Sequence, residues 1–336
     1  AGRILDVGRH PGADRLVLCR MDIGGPPGRE PLRIVTGAPN VSAGQMVPVA
    51  LDGAVLADGT VIRSGRIRGE VSQGMLCSIQ ELGLPEEDYD EEIRKGILVL
   101  PGDTIPGTDI RKVLGLEDVV LDFEVTSNRP DCLSVEGLAR EAAVTFDRPF
   151  RPVAPLVTES GDGDARDHIR IRIDAPDLCQ RYVGRVVTDV AVGPSPDWMV
   201  RRLRSAGIRS LGNLVDITNY VMLELGHPLH AFDLSLVRGA EIRVRRAETG
   251  ERLMTLDGVE RDLDPSVLVI ADAEGPVALA GIMGGEHSGI FPATRTVLLE
   301  AACFSGIPLR QTARRMGLRT ESSARFEKGL DPDNAR

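Results

Sequence analysis

LGNLVDITNYVMLELGHPLHAFD, residues 211–233, sets apolar side chains at Leu211, Leu214, Val215, Val221, Met222 and Leu225. That is the three-and-four spacing of a buried helix face. Gly226 ends the helix, and Pro228 stiffens a short exit that carries His227 and His230, two of only five histidines in the chain. Thr218 falls on the apolar stripe beside Asn219. A polar group buried there must find a partner, in the core or in a ligand. If the chain has a small-molecule pocket, this segment is one wall of it.

Around that helix, from His168 onward, the sequence mixes α and β. HIRIRI and RYVGRVVTDV read as strands and 196–206 as a helix; EIRVRRA, RLMTLDG, SVLVIAD, PVALAGIMGG and RTVLLEAACF follow as strands. A last helix over PLRQTARRMG takes Ser305 as its cap. Strands outnumber helices without βαβ alternation, so residues 166–336 are expected to form an α+β domain. Upstream, Asn128-Arg129-Pro130-Asp131 signals a turn, and Ser134 caps a helix with Leu138, Ala142 and Val144 on one face. Residues 151–167 are rich in Pro, Gly, Ser and Asp and read as a linker. Asp162 and Asp164 alternate as in a calcium loop, but the glycine and the closing glutamate are misplaced, which leaves a solvated loop.

Residues 1–112 read as all-β: short runs such as GRILDV, RLVLCRMDI, LRIVTGA and MVPVALDGAVL lie between Gly, Pro, Asp and Asn turns. Strands at this spacing suggest a small closed barrel, with an OB type as one candidate. Only an acidic, helix-prone loop at 79–94 interrupts them. The expected architecture is multi-domain: a β barrel (OB-like) at 1–112, a small helical module and linker at 113–165, and the α+β domain.

At 336 residues, with 27% charged and 42% hydrophobic residues, the composition is that of an ordinary soluble globular protein. No apolar run approaches the ~18 residues that cross a membrane. The chain opens on AGRILDVGRH, with neither Met nor a basic start, and ends at DPDNAR. It is therefore expected to be a cytoplasmic fragment of something longer, without a secretory signal. The five cysteines form no CxxC pair, so neither disulfides nor zinc are indicated, and the sequon at Asn40 is read as chance.

Net charge is −10, unevenly spread: 18 Lys+Arg face 19 Asp+Glu from residue 195 onward, against 22 and 31 before it. Bulk charge does not favour nucleic acid, so any RNA contact needs a local patch. The best is residues 310–328, with six basic and two acidic residues, of which Arg310, Arg314, Arg315 and Arg319 are the RNA-contact candidates. A solvated helix face is the plain alternative.

Three further features invite chemistry. Gly284-Gly285 follows an apolar strand without any phosphate-loop pattern, and reads as a turn or as a close approach of ligand to backbone. Glu300 stands among Val297, Leu298, Leu299, Ala301 and Ala302. It needs a salt bridge or an edge position, or else has a raised pKa. His227 and His230 are three apart across a proline with no third ligand, so a metal is not expected. No GxSxG and no Cys/His catalytic pattern is present.

Several stretches together carry a family resemblance: HPGADRL (10–16), GAPNVSAGQMVPVA (37–50), GEVSQGMLCS (69–78), FEVTSNRPDCLSVEGLARE (123–141), LVDITNYVMLELGHPLHAFD (214–233), AGIMGGEHSGI (280–290) and GLRTESSARFEKGLDP (317–332). The chain resembles, collinearly, the N-terminal part of the beta subunit of bacterial phenylalanyl-tRNA synthetase. The resemblance implies a tRNA-binding OB-like domain followed by an editing domain that hydrolyses tyrosine wrongly attached to tRNA(Phe). It implies Thr218, Asn219 and His230 as the residues acting at the ester, and Glu300, Gly284 and Ser322 as the pocket for the amino acid. It also implies a whole synthetase of two alpha and two beta chains that joins Phe to tRNA(Phe) with ATP and Mg2+. The synthetic site would lie in the alpha subunit, with no cofactor or metal in this fragment and neither membrane nor DNA as a partner. The competing expectation is a non-catalytic module that binds tRNA and the alpha subunit.

Overall fold

Turns cut the first 112 residues into short alternating runs. In the computed structural model, which describes all residues except 87–88, 155–156, 158–162 and 336, those runs become strands. The chain forms two units, Ala1–Val119 and Val120–Arg336. Among the described residues no helix is long and apolar enough to cross a membrane.

In the first unit β1 (Gly2–Arg9), β2 (Val17–Asp22), β3 (Leu32–Thr36) and β4 (Met46–Val47) pair antiparallel in the order β3-β2-β1-β4. The register slips between Ile4 and Asp6, an extra residue of the kind that bends a strand and steepens its twist. Pro48 has no N–H to give a ladder and separates β4 from β5 (Val49–Leu51). A hairpin of β6 (Gly65–Ile67) and β7 (Glu70–Ser72) precedes β8 (Gly74–Leu76), which returns to pair with β5.

The result is a curled half-barrel around the buried side chains of Ile4, Met21, Ile34, Val47 and Leu76. Its free edge at β3 is stitched mainly by side chains. Val35 N donates to Ser72 Oγ (3.1 Å), Arg33 N to Gln73 Oε1 (2.9 Å), and Gln73 N to Arg33 O (2.8 Å). Asn40 bonds the Ile97 backbone as donor and acceptor, 2.9 Å each, so its amide is a structural bridge. The acidic loop contains one helical turn, α1 (Glu91–Arg94), capped by Asp90; residues 87–88 of that loop lie outside the described residues. A second turn, α2 (Ile110–Val113), is capped by Asp109.

The second unit opens with α3 (Val135–Thr145), whose N-cap Ser134 accepts from Gly137 N at 3.0 Å as expected. The apolar face expected on Leu138, Ala142 and Val144 is not buried: Gly137 is the buried residue of the helix, and Val144 is 78% exposed. The helix is packed instead at its first turn, where a Cβ on Gly137 would lie 1.9 Å from Asp131 O. Of the calcium-like pair, Asp162 lies outside the described residues, while Asp164 caps α4 (Ala165–His168) and pairs with Arg166.

The strands that follow are β9 (Arg170–Ile173), β10 (Cys179–Val187), β11 (Leu229–Asp233), β12 (Glu241–Arg246), β13 (Arg252–Met254), β14 (Glu260–Asp262), β15 (Leu268–Ala271), β16 (Pro276–Leu279), β17 (Met283–Gly284) and β18 (Val297–Phe304). The helices are α5 (Asp197–Ser205), α6 (Asn213–Leu225), α7 (Gly306–Arg315) and α8 (Glu321–Phe326). Three strands pair antiparallel as β10-β18-β11, and five as β17-β16-β15-β12-β9, in which β9 and β12 run parallel. One continuous core joins both sheets and the last two helices through Tyr182, Phe232, Val244, Val269, Leu298, Leu309 and Phe326.

Two expectations are corrected here. Leu211 (67% exposed) precedes the helix and Leu225 is also exposed, so the apolar stripe of α6 is buried fully only at Met222. A buried Asp216 organises the start of this helix instead, accepting from Ser195 Oγ, Ser210 Oγ and Leu211 N. The exit after Pro228 is not a loop but β11, since a proline is tolerated just outside a strand.

Candidate functional site

On β18 the residues Leu298, Glu300, Ala302 and Phe304 alternate onto the buried face, so Glu300 occupies a core position. Its expected salt bridge is absent among the described residues, and β18 is the central strand of its sheet, not an edge. His230 on β11 stands directly opposite Glu300, and Gly184 on β10 is opposite on the other side. Two residues before Gly184, Tyr182 reaches across to donate its hydroxyl to Glu300 Oε2 at 2.9 Å. Burial pushes the Glu300 carboxyl up to about 8, with the Tyr182 hydrogen bond working against that rise. Burial also pulls His230 down to about 4, so its ring is neutral at physiological pH, and its Nε2 has no hydrogen-bond partner.

The turn after β16 adds a further wall. Gly281, at φ +68, takes a conformation that suits glycine. Gly284 lies against the histidine, and a Cβ there would be 2.6 Å from His230 Cε1. Helix α8 is pinned onto the same turn: Thr320 Oγ1 donates to Ile282 O (2.9 Å) and Ser322 Oγ to Gly281 O (3.0 Å). Together His230, Gly284, Glu300 and Ser322 line one open cavity of about 210 Å3, walled elsewhere mainly by apolar side chains including Leu256, Ile270 and Phe326.

Thr218 and Asn219 are not among the residues lining that cavity. The Thr218 hydroxyl donates to Val215 O at 2.7 Å within α6, and Asn219 is half-buried on the same helix. His227 is buried off the cavity, edge-on to Phe326, with no standard hydrogen bond at either nitrogen. Its pKa is lowered by burial, partly offset by the Ala302 backbone.

Arg310, Arg314, Arg315 and Arg319 are all exposed, and Arg315 pairs with Asp264. The rest of the basic run is not a surface. Arg325 is buried and donates to Glu321 and to Leu133 O (3.2 Å), and Lys328 donates to Val125 O (3.0 Å). Among the described residues one grouping of metal-ligating type occurs, Asp131, Cys132 and Glu141, and both of its carboxylates are ion-paired with Arg129.

The residues that the sequence did not single out are Tyr182 and Asp216. Tyr182 sits on a plain strand pattern, and only the β10–β18 register brings its hydroxyl to Glu300.

A tRNA binding domain model matches residues 1–109 and a B3/4 domain model matches residues 178–336. The first of those models is named for tRNA binding. Phenylalanine–tRNA ligase beta subunits from Moorella thermoacetica, Clostridium tetani and Anaeromyxobacter dehalogenans are 53%, 47% and 50% identical to this chain, covering 100%, 99% and 99% of it. The chain belongs to the phenylalanine–tRNA ligase beta-subunit family and spans about two-fifths of the length of these relatives, 41%, 41% and 40%. A solved N-terminal fragment of the phenylalanyl-tRNA synthetase beta subunit from Pyrococcus horikoshii is 16% identical over 52% of this chain and 53% of its own, at a TM-score of 0.32.

Proposed function

We propose that the second unit hydrolyses Tyr-tRNA(Phe) and that the first, as an OB-like domain, binds tRNA. The observation that carries the reading is the convergence of His230, Gly284, Glu300 and Ser322 on one cavity of about 210 Å3, a space that suits a single aromatic side chain. Phenylalanine and tyrosine differ by one hydroxyl, which a synthetic pocket rejects only partly, so a second hydrolytic site raises accuracy. A tyrosyl hydroxyl reaching Glu300 gains a hydrogen-bond partner, whereas a phenylalanyl ring leaves that polar group unmatched.

The neutral His230 ring, with Nε2 unpartnered, supplies a polar group beside the carboxyl. It holds the ester or a water in place, while positioning and electrostatics do most of the work. Thr218 and Asn219 then act, if they touch substrate, on the part of the aminoacyl-tRNA outside the cavity. The half-barrel and the exposed Arg310, Arg314 and Arg319 support the tRNA-binding part of the reading.

The whole protein, by the same proposal, is the beta subunit of a cytoplasmic phenylalanine–tRNA ligase, paired two-and-two with an alpha subunit that holds the synthetic site and uses ATP and Mg2+. Deacylation of preformed Tyr-tRNA(Phe) and Phe-tRNA(Phe) by the intact synthetase tests the reading. Glu300→Ala is expected to lower the preference for Tyr by about tenfold, the value of one hydrogen bond of about 1.4 kcal/mol. An unchanged preference sinks it. Full Tyr-tRNA hydrolysis by a His230→Ala enzyme would remove His230 from the chemistry, and failure of the wild-type enzyme to hydrolyse Tyr-tRNA would favour the non-catalytic binding module.

A further inference from the structure

Glu300 has one protein donor, and that donor is itself a tyrosine. The Tyr182 phenol is buried, and it reaches Oε2 from the row next to the Glu300–Gly184 pair, a diagonal cross-strand contact. The residue paired with Glu300 on β10 is Gly184, where a Cβ would lie 2.6 Å from Ile171 Cδ1 and 3.0 Å from Leu298 Cδ1, so no side chain enters there. Among the described residues Oε1 has no hydrogen-bond donor, and Glu300 lines the cavity.

We propose that Tyr182 is a positioning residue that sets the specificity of this site: by holding Oε2 it reserves Oε1 for the hydroxyl of a tyrosyl group and keeps the carboxyl an acceptor. The assignment rests on the cavity being a tyrosyl site. A phenol that donates to a carboxyl favours its ionised form, and a charged acceptor binds a hydroxyl about twice as strongly as a neutral one. Without Tyr182 the acid would remain protonated to higher pH and turn freely, presenting an O–H that discriminates poorly between donors.

The titratable groups facing Glu300 are few. From β10 come Tyr182 and Cys179, both raised by burial and by the Glu300 charge, and from β11 comes His230, lowered by burial. Helix α8 offers Ser322 and Phe326, and the turn at 279–284 offers no titratable side chain. Between neutral and mildly alkaline pH, Glu300 is therefore the group here that changes charge.

The test uses the intact synthetase with Tyr182→Phe and Glu300→Gln beta chains, assayed on Tyr-tRNA and Phe-tRNA from about pH 6 to about pH 9. Taking the ratio of the two rates cancels the base lability of the ester. In the wild type the ratio is expected to rise with one titration. In Tyr182→Phe that titration moves up by about one pH unit, so the ratio falls by about tenfold near neutrality and recovers at high pH. An unmoved titration, with both substrates slowed in parallel, would mean that Tyr182 only fills the core, and overturns the proposal. A wild-type ratio in Glu300→Gln overturns the tyrosyl-site reading itself, a different result from a failure of Tyr182 alone.

Discussion

A methyl group on Gly284 would sit 2.6 Å from His230 Cε1 and 3.1 Å from Leu256 Cδ1. The imidazole would have to swing away from the cavity, because contacts under 3 Å are not tolerated in a packed interior. Gly284→Ala is expected to cost about 1–3 kcal/mol in urea unfolding and to remove most Tyr-tRNA deacylation. Normal deacylation with that loss of stability would show that the His230 orientation is not used. The glycine was legible as a special position from its place after an apolar strand; what it makes room for, the histidine rather than the ligand alone, was not. Glu300 was legible for a plain reason, since a carboxylate in VLLEAACF has no cheap explanation. Its actual partner was hidden because pairing register cannot be read from one strand.

Helix α6 shows where periodicity fails. Its apolar spacing predicted the element and its end at Gly226, which adopts φ +79. The same spacing misjudged the burial of Leu211 and Leu225 and passed over Asp216, which satisfies two hydroxyls and one N–H at the helix start. Removing that acceptor strands three buried or half-buried donors. Asp216→Ala should destabilise the second unit by about 3 kcal/mol or more. Chemical denaturation followed through Trp198, the only tryptophan and a residue of α5, measures it, and a change below about 1 kcal/mol would contradict the anchoring role. Thr218 teaches the complementary lesson: a polar residue on an apolar stripe can spend its proton on its own helix, as this one does on Val215 O. Strand β11 was missed because His227-Pro228 looks like loop, yet its pairing with β18 is what puts His230 opposite Glu300.

For the whole second unit the two core titrations have opposite signs. His230 is lowered from 6.5 to about 4, so the unfolded chain takes up its proton first and stability is lost as pH falls through that window. His227 acts in the same direction. Glu300 is raised from 4.5 to about 8, so the folded state keeps a proton that the unfolded chain has released, and stability falls as pH rises across that range. Above pH 6.5 the carboxyl acts alone, with a slope of about 1.4 kcal/mol per pH unit up to about 8. Urea midpoints read through Trp198 should therefore drop between pH 6.5 and 8 in the wild type and stay level in Glu300→Gln. A flat wild-type profile would mean that the carboxyl is ionised and stabilised by something further.

The buried Arg325 has a practical consequence for anyone dividing this molecule. Its guanidinium is held by Leu133 O, and neighbouring Lys328 by Val125 O, so the last helix is tied to a segment far upstream of residue 178, where the B3/4 match begins. A truncation at that match, or at residue 166, discards both carbonyls and leaves a sequestered cation short of acceptors. A piece that starts at Val120, where the second unit begins, keeps both carbonyls, and a sequence-family boundary is here a poor guide to where the chain can be cut.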